Sequence, residues 1–312
     1  MNRKAHLAGV AFACIFGFTF LFSKIALEYV SPIGLISYRF LAAFFVIEAL
    51  RRFKVITIRF EKGHWRAWLP VVLCEPIFYF IFETYGLVQT TSGEAGMMIA
   101  LIPIFVAILS MLILKEKPRL LQVFFILLSV AGILFIQLSK PGDGSRGELF
   151  GFVLLFAAVL SAAFFTVASR RASRTMKPYE LTYFMMLAGA VVFNVIYLVQ
   201  LLMGDGIATY VTNLVHPQLV LPILYLGVVG SIGGFFLVNF ALSKLPAHVS
   251  SIYSNLSTIV AIFAGVLILQ ETLMPYHYIG SAMILVGVYG TVKSGAKKKG
   301  PDQIPVQTEA SG

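Results

Sequence analysis

Residues 14–32, CIFGFTFLFSKIALEYVSP, align with residues 160–178, LSAAFFTVASRRASRTMKP, at a constant offset of 146 positions. The alignment places Ser23 over Ser169 and ends on a proline in both copies. Each stretch is mostly apolar and closes with a short polar segment that contains turn-forming residues. The similarity predicts that the chain consists of two related halves.

A second pair of stretches supports the duplication. Residues 99–117 align with residues 254–272 at an offset of 155 positions, and the same offset places Gly132 over Gly287. Any two membrane segments resemble one another in composition, which is the alternative explanation. Coincident proline, glycine and glutamate positions favour duplication over that alternative.

The composition predicts lipid as the solvent. Apolar residues make up 59% of the chain, charged residues make up 12%, and the mean hydropathy is +0.88. Soluble domains average roughly 45–50% apolar and about 25% charged residues. So few charges could not cover the surface of a water-soluble protein of 312 residues.

Ten segments are long and apolar enough to cross the roughly 30 Å hydrocarbon core of a membrane, which takes about 20 residues each. No connection between them is long enough to hold a soluble domain. The polar residues 293–312 predict a disordered basic tail. The predicted helices are 6–27, 32–52, 66–87, 92–114, 119–138, 148–169, 178–203, 217–242, 246–269 and 275–292.

The positions of the basic residues predict the orientation. With a cytoplasmic N-terminus, 20 of the 24 Lys and Arg residues fall on the cytoplasmic side or in the tail. The net charge of +10 then reflects topology and contact with anionic lipid, so no nucleic-acid partner is expected. The sequence predicts a multi-pass protein of the cell membrane with both termini in the cytoplasm.

The same residues indicate that the two halves are inverted. The loop 27–31 carries no basic residue, whereas its counterpart 170–177 carries four. Each half contains five predicted helices, so equivalent helices must run in opposite directions. The fold class expected is therefore an all-α integral membrane protein with ten transmembrane helices in two inverted five-helix repeats, at 1–138 and 148–292. Inverted repeats are typical of transporters whose solute site lies near the midplane.

Two groups of residues resemble a known family. Phe16-Gly17, Phe20, Lys24, Ser31-Pro32 and Arg39-Phe40 resemble the first two helices of EamA-like permeases of the drug/metabolite transporter superfamily, and so does the stretch 101–117 followed by Gly132. The family usually has Trp where this chain has Phe16. The resemblance implies ten helices around a central cavity, and often the export of amino acids, metabolites or drugs.

Charged residues within the predicted helices are candidates for the solute site. A charge at the centre of a membrane helix costs roughly 2.5–3.5 kcal/mol or more, so it usually faces a partner or a water-filled cavity. Arg39, Glu75, Glu83 and Glu94 are such residues, and Tyr79 shares a helix face with Glu75 and Glu83. We expect this face to line the cavity. The alternative is a structural ion pair between Arg39 and either Glu75 or Glu83. For Glu94 the alternative is a position at a helix N-terminus, where the helix dipole favours a carboxylate.

Polar residues in the second half predict a different wall of the cavity. Ser251 and Asn255 belong to a polar stripe on the ninth predicted helix, whereas Ser257 lies off its centre. Asn239 on the eighth helix is a further candidate. The alternative for the serines is hydrogen bonding to their own helix. The amide of Asn255 has four hydrogen-bonding sites to satisfy, which favours the cavity.

The sequence therefore predicts a secondary transporter that exports or imports a small organic solute by alternating access, and the family resemblance favours export. Glu83 is the candidate for proton coupling, because a buried carboxyl could exchange a proton for solute. No pattern indicates a cofactor or a metal site, and no catalytic residue is assigned. The expected partners are a small-molecule solute and the lipid bilayer. The alternatives are a lipid-modifying membrane enzyme that uses Glu75 and Glu83, and a channel.

Overall fold

The structure is a computed structural model, and it describes residues 3–58, 63–114, 120–139, 146–204, 206–214, 216–245, 247–251, 253–268, 270 and 272–295. Every secondary-structure element in these residues is a helix. The described residues form fifteen α-helices and two π-helical segments, Leu73–Phe78 and Tyr225–Gly234. The α-helices are α1 Arg3–Leu27, α2 Pro32–Arg52, α3 Trp65–Val72, α4 Tyr79–Val88, α5 Ser92–Ile99, α6 Ile102–Leu114, α7 Leu120–Ser139, α8 Arg146–Ala172, α9 Pro178–Met203, α10 Ala208–Leu214, α11 Pro217–Leu224, α12 Phe235–Lys244, α13 Ala247–Ser251, α14 Ser254–Ile268 and α15 Pro275–Gly295.

Seven helical stretches of the described chain are long and apolar enough to cross a membrane. The prediction of an integral, multi-pass membrane protein is thereby confirmed. The remaining predicted crossings fall on α7, on α13 with α14, and on α15. Ten crossings and an inverted arrangement of the halves stay predictions. The seven stretches are Lys4–Leu27, Pro32–Arg52, Trp65–Val88, Glu94–Ile113, Leu149–Ala172, Pro178–Met203 and Pro217–Lys244.

Proline marks where two of the long helices begin. In α2, Pro32 occupies the first turn, where its missing N–H leaves no hydrogen bond unmade, and the Ser31 hydroxyl accepts from the Gly34 amide at 3.2 Å. In α9, Pro178 plays the same part, and the Glu180 carboxylate accepts from the Lys177 amide at 2.8 Å. Both helices have the bounds that the sequence predicts.

In the described residues, π-helical segments interrupt two of the crossings. Glu75 has φ −146° and ψ 114°, which is extended rather than helical backbone, and Pro76 follows it through a cis peptide bond. The crossing is therefore kinked at this point. Pro76 has no N–H to continue the hydrogen-bond ladder, so α3 and α4 meet through the π-helical segment Leu73–Phe78. The crossing of α11 and α12 contains the second π-helical segment, Tyr225–Gly234.

Close helix packing surrounds the second interruption. Gly230 and Gly234 both face α1, and a methyl group on Gly234 would overlap the ring of Phe16. The sequence spacing GxxxG favours such an approach between helices. Helix α1 also packs along α14, and α2 packs along α9, so these helices enclose the centre of the bundle.

Candidate functional site

A central cavity lies where the two interrupted crossings meet α1, α2, α8 and α14. It contains about 780 Å³ of space that no atom occupies, including the open solvent at its mouth. Of the predicted site residues, the structure brings Arg39, Glu75, Tyr79, Glu83 and Ser251 to its wall. The aromatic part of the wall consists of Phe12, Phe16, Phe20, Phe80, Phe165 and Phe235.

Arg39 is the cationic residue of this wall, and its side chain is held on two sides. Its Nε–H donates to the Ser231 hydroxyl at 2.8 Å, and its guanidinium carbon lies 4.3 Å from the centroid of the Phe80 ring. The π-helical segment carrying Ser231 comes from the second half of the chain, whereas α2 and Phe80 come from the first. The residue is 4% exposed. These contacts fix the guanidinium while leaving its terminal N–H groups beside the cavity.

Glu75 and Glu83 place two carboxylates on the same wall. They are 7% and 3% exposed, and Glu83 Oε2 accepts from the Thr84 hydroxyl at 3.2 Å. Within the part of the chain that the structure describes, neither carboxylate forms an ion pair with Arg39. The structural ion pair considered as an alternative is therefore not formed in this conformation.

Four hydroxyl groups of the wall share one hydrogen-bonding pattern. Thr19 donates to the Phe16 carbonyl at 2.7 Å, and Thr166 donates to the Ala162 carbonyl at 2.8 Å. Ser254 and Ser257 likewise donate to carbonyl oxygens three residues earlier, at 2.7 and 2.5 Å. Since each of these four hydroxyl protons is donated to a backbone carbonyl, the oxygens can offer a solute only lone pairs.

Three predicted site residues are not placed on the cavity wall. Glu94 caps α5: its carboxylate accepts from the Thr91 amide at 3.1 Å, as expected for an acidic residue at a helix N-terminus. Asn239 is fully buried; it accepts from the Ser169 hydroxyl at 2.7 Å and donates to the Thr182 hydroxyl at 3.1 Å, so it joins α12 to α8 and α9. The side chain of Asn255 lies outside the described residues.

The structure divides the ninth predicted helix, 246–269, into two helices, α13 and α14. Ser251 of the predicted polar stripe lines the cavity. Ser257, placed off the centre of the stripe, and Ser250, which was not predicted, line it as well. Sequence reasoning also missed Thr19, Thr166 and the phenylalanines. Such residues are common in every membrane helix and give no signal of their own.

The acidic residue near the end of α2, Glu48, pairs with two arginines of the same helix. The Glu48 carboxylate accepts from Arg51 at 2.6 and 2.7 Å and from Arg52 at 3.2 Å. Glu48 lies outside the cavity wall. In the described residues, no group of three or more His, Cys, Asp or Glu side chains is arranged to hold a metal ion.

Comparisons with known proteins agree in family and fold. A family model described as the EamA-like transporter family matches residues 3–138 and 149–293. The uncharacterized transporter YcxC of Bacillus subtilis (strain 168) is 37% identical over 290 residues, which cover 93% of each chain. The probable amino-acid metabolite efflux pump of Escherichia coli (strain K12) is 24% identical over 294 residues, which cover 93% of this chain and 95% of the pump. One crystal structure, 18% identical, is similar in fold with a TM-score of 0.67 over 93% of this chain and 96% of its own.

Proposed function

Because this chain belongs to the EamA-like transporter family, we propose that this membrane transporter carries a small organic solute through its central cavity by alternating access, in the direction of export. The solute is an amino acid, another metabolite or a cationic drug. The name of the relative from Escherichia coli, a probable amino-acid metabolite efflux pump, supports this range of solutes.

The observation that carries the proposal is the set of buried charges on the cavity wall. Arg39, Glu75 and Glu83 are each less than one tenth exposed, and they form no ion pair with one another in the described structure. A charge in the membrane interior is expensive to keep without a partner. A solute, a proton or both can supply that partner during transport, which explains why the charges surround open space.

The positions on the wall support an arrangement of two halves, 1–138 and 148–292, around the cavity. The 155-residue offset relates Phe80 to Phe235 and Glu83 to Val238, and all four residues line the cavity. The family model matches two successive segments, which also supports this division. In the proposed transport cycle, movement of one half against the other exposes the cavity to each side of the membrane in turn.

Proton coupling is assigned to Glu83 in this proposal. Its carboxyl lies on the wall, close to Tyr79 in sequence and within Coulombic reach of Arg39. A proton taken up there from outside would accompany solute release, and its loss to the cytoplasm would prepare the cavity for the next solute. The proposed orientation, with cytoplasmic termini in the cell membrane, is supported by the distribution of basic residues.

Counterflow in liposomes tests the function. The purified chain is reconstituted, the vesicles are loaded with an unlabelled solute, and uptake of the same labelled solute is followed across amino acids, nucleobases and cationic drugs. We expect saturable counterflow for one class of solute. Arg39→Lys should weaken its apparent affinity, because an ammonium cannot both stack on Phe80 and donate from Nε to Ser231.

Two outcomes of the same experiment contradict the proposal. Uptake that rises linearly with solute concentration indicates a channel. Chemical conversion of a lipid or a solute by the purified chain indicates an enzyme. Protein-free liposomes give the background, and Glu48→Gln is the matched control because Glu48 pairs with arginines outside the cavity.

A further inference from the structure

The cavity wall offers a solute more hydrogen-bond acceptors than donors. The hydroxyls of Thr19, Thr166, Ser254 and Ser257 have committed their protons to backbone carbonyls, so what they can offer is a lone pair. Ionised carboxylates accept only, which adds Glu75 and Glu83. Arg39 is the group on the described wall that can only donate, and its Nε–H is already used by Ser231. Tyr79 and Ser250 can act either way.

The charges of the wall are also unequal. Two carboxylates and one guanidinium leave a single negative charge when all three groups are ionised. In surroundings of low polarity, a solute is favoured when its charge cancels that of the site. A zwitterion would leave the excess unchanged and would add a carboxylate to a wall already rich in acceptors. A monovalent cation neutralises the wall and brings donors to it.

The rest of the wall is aromatic. Six phenylalanines surround the polar groups, and Arg39 shows that a cation can lie against one of these rings, Phe80, at 4.3 Å from its centroid. Their faces favour an apolar body next to a positive group. The many hydroxyl groups of a polar metabolite, such as a sugar, would find few hydrogen-bond partners among these rings.

We propose that the transported solute is a monovalent primary ammonium compound with an apolar body and without a carboxylate, the class to which arylalkylamines belong. This inference rests on the proposed transport function and narrows its solute. The ammonium group donates its three N–H bonds to the carboxylate and hydroxyl oxygens, and the body lies among the phenylalanine rings. Glu75 is the carboxylate that binds the ammonium group, while Glu83 binds and releases the exchanged proton.

Direct binding compares three compounds with the same apolar body. The purified full-length chain is titrated calorimetrically with 2-phenylethylamine, phenylalanine and 3-phenylpropionate at constant pH. We expect 2-phenylethylamine to bind roughly 5- to 150-fold more tightly than phenylalanine, the range for burying one poorly satisfied polar group, because phenylalanine adds a carboxylate to an acceptor-rich wall; 3-phenylpropionate should not bind. Equal or tighter binding of phenylalanine overturns the inference, because the wall would then favour the zwitterion.

N-methylation of the amine tests the hydrogen bonds at constant charge. The N-methyl, N,N-dimethyl and N,N,N-trimethyl derivatives keep one positive charge and lose one N–H at each step. Each lost N–H should weaken binding roughly 2- to 13-fold. If the quaternary compound binds as tightly as the primary amine, the rings alone hold the cation and the acceptor-rich wall has no role in selection.

Variants connect the binding to the wall. Glu75→Gln should weaken binding of 2-phenylethylamine more than tenfold, whereas Glu48→Gln, outside the cavity, should leave it unchanged. Unchanged binding in Glu75→Gln, or no binding of any amine to the wild type, overturns the inference. Counterflow of some other solute in that case leaves the transport function intact, while absence of counterflow for every solute overturns the function itself.

Discussion

Replacing Glu83 with glutamine tests whether proton-driven accumulation of solute depends on this carboxyl while movement of solute through the cavity does not. Glutamine has nearly the same size as glutamate, and its amide oxygen can still accept the hydrogen bond that the Thr84 hydroxyl donates at 3.2 Å. The side chain is only 3% exposed, so a change of size or of partners would disturb the packing, whereas this substitution changes neither. What it removes is the proton that the carboxyl can exchange.

The size of the effect follows from one exchangeable proton per solute. A difference of one pH unit across the membrane is worth about 1.36 kcal/mol per proton, which is a tenfold ratio of concentrations. With the membrane potential held at zero, the wild type should therefore accumulate solute about tenfold per pH unit. Glu83→Gln should bring the solute only to equal concentrations on both sides, while counterflow at saturating solute continues.

The assay uses proteoliposomes whose interior is one pH unit more acidic than the medium. Valinomycin with equal potassium concentrations on both sides holds the potential at zero. Protein-free liposomes correct for weak bases that accumulate by diffusion. Glu48→Gln is the matched control and should accumulate solute as the wild type does. Tenfold accumulation by Glu83→Gln would refute the assignment, and so would loss of saturating counterflow together with accumulation, since Glu83 would then be needed for transport itself.

Two further predictions concern the orientation and the packing. In a cysteine-free background, Asp143→Cys and Thr212→Cys should react with an impermeant maleimide added to intact cells. Lys298→Cys should react only after permeabilisation. Labelling at position 298 in intact cells would contradict the proposed cytoplasmic position of the C-terminus. Gly234→Ala should lower the free energy of unfolding in detergent by roughly 1–3 kcal/mol, because its methyl group would overlap the Phe16 ring. Gly233→Ala is the matched control, since the nearest atoms to its methyl group lie at 3.8 and 4.0 Å; equal losses in both variants would contradict the proposed overlap.

The helices were largely predictable because the membrane sets their length and prolines mark where they begin. The segments 32–52 and 178–203 coincide with α2 and α9, whose first turns contain Pro32 and Pro178. Breaks within a crossing were harder to predict. Pro76 lies at the break between α3 and α4, so the sequence indicates that break. The serine-rich region of the ninth crossing contains no proline between α13 and α14, so the sequence does not mark the break there. Where a helix breaks, the periodicity that assigns a face no longer applies.

The charged part of the site was predictable for a physical reason. A charge in an apolar helix is expensive, so Arg39, Glu75 and Glu83 each required an explanation in the sequence. Asn239 carried a similar signal but joins three helices, because a buried amide is satisfied equally well by neighbouring side chains or by a solute. The choice between those environments depends on the rotation of the helix, which the sequence does not determine.

In the proposed arrangement of two related halves, a difference between the halves would explain how such a chain holds a selective site. At the 155-residue offset Phe80 corresponds to Phe235, and both rings line the cavity. Had the chemistry been preserved as well, Val238 would be a second glutamate facing Glu83, and like charges would repel across a space of low polarity. With valine there, the excess negative charge stays at one, a value that a single ammonium or a single proton can neutralise. Unequal halves therefore give the cavity a charge that one solute can balance, and the two competing cations can then replace each other during a transport cycle.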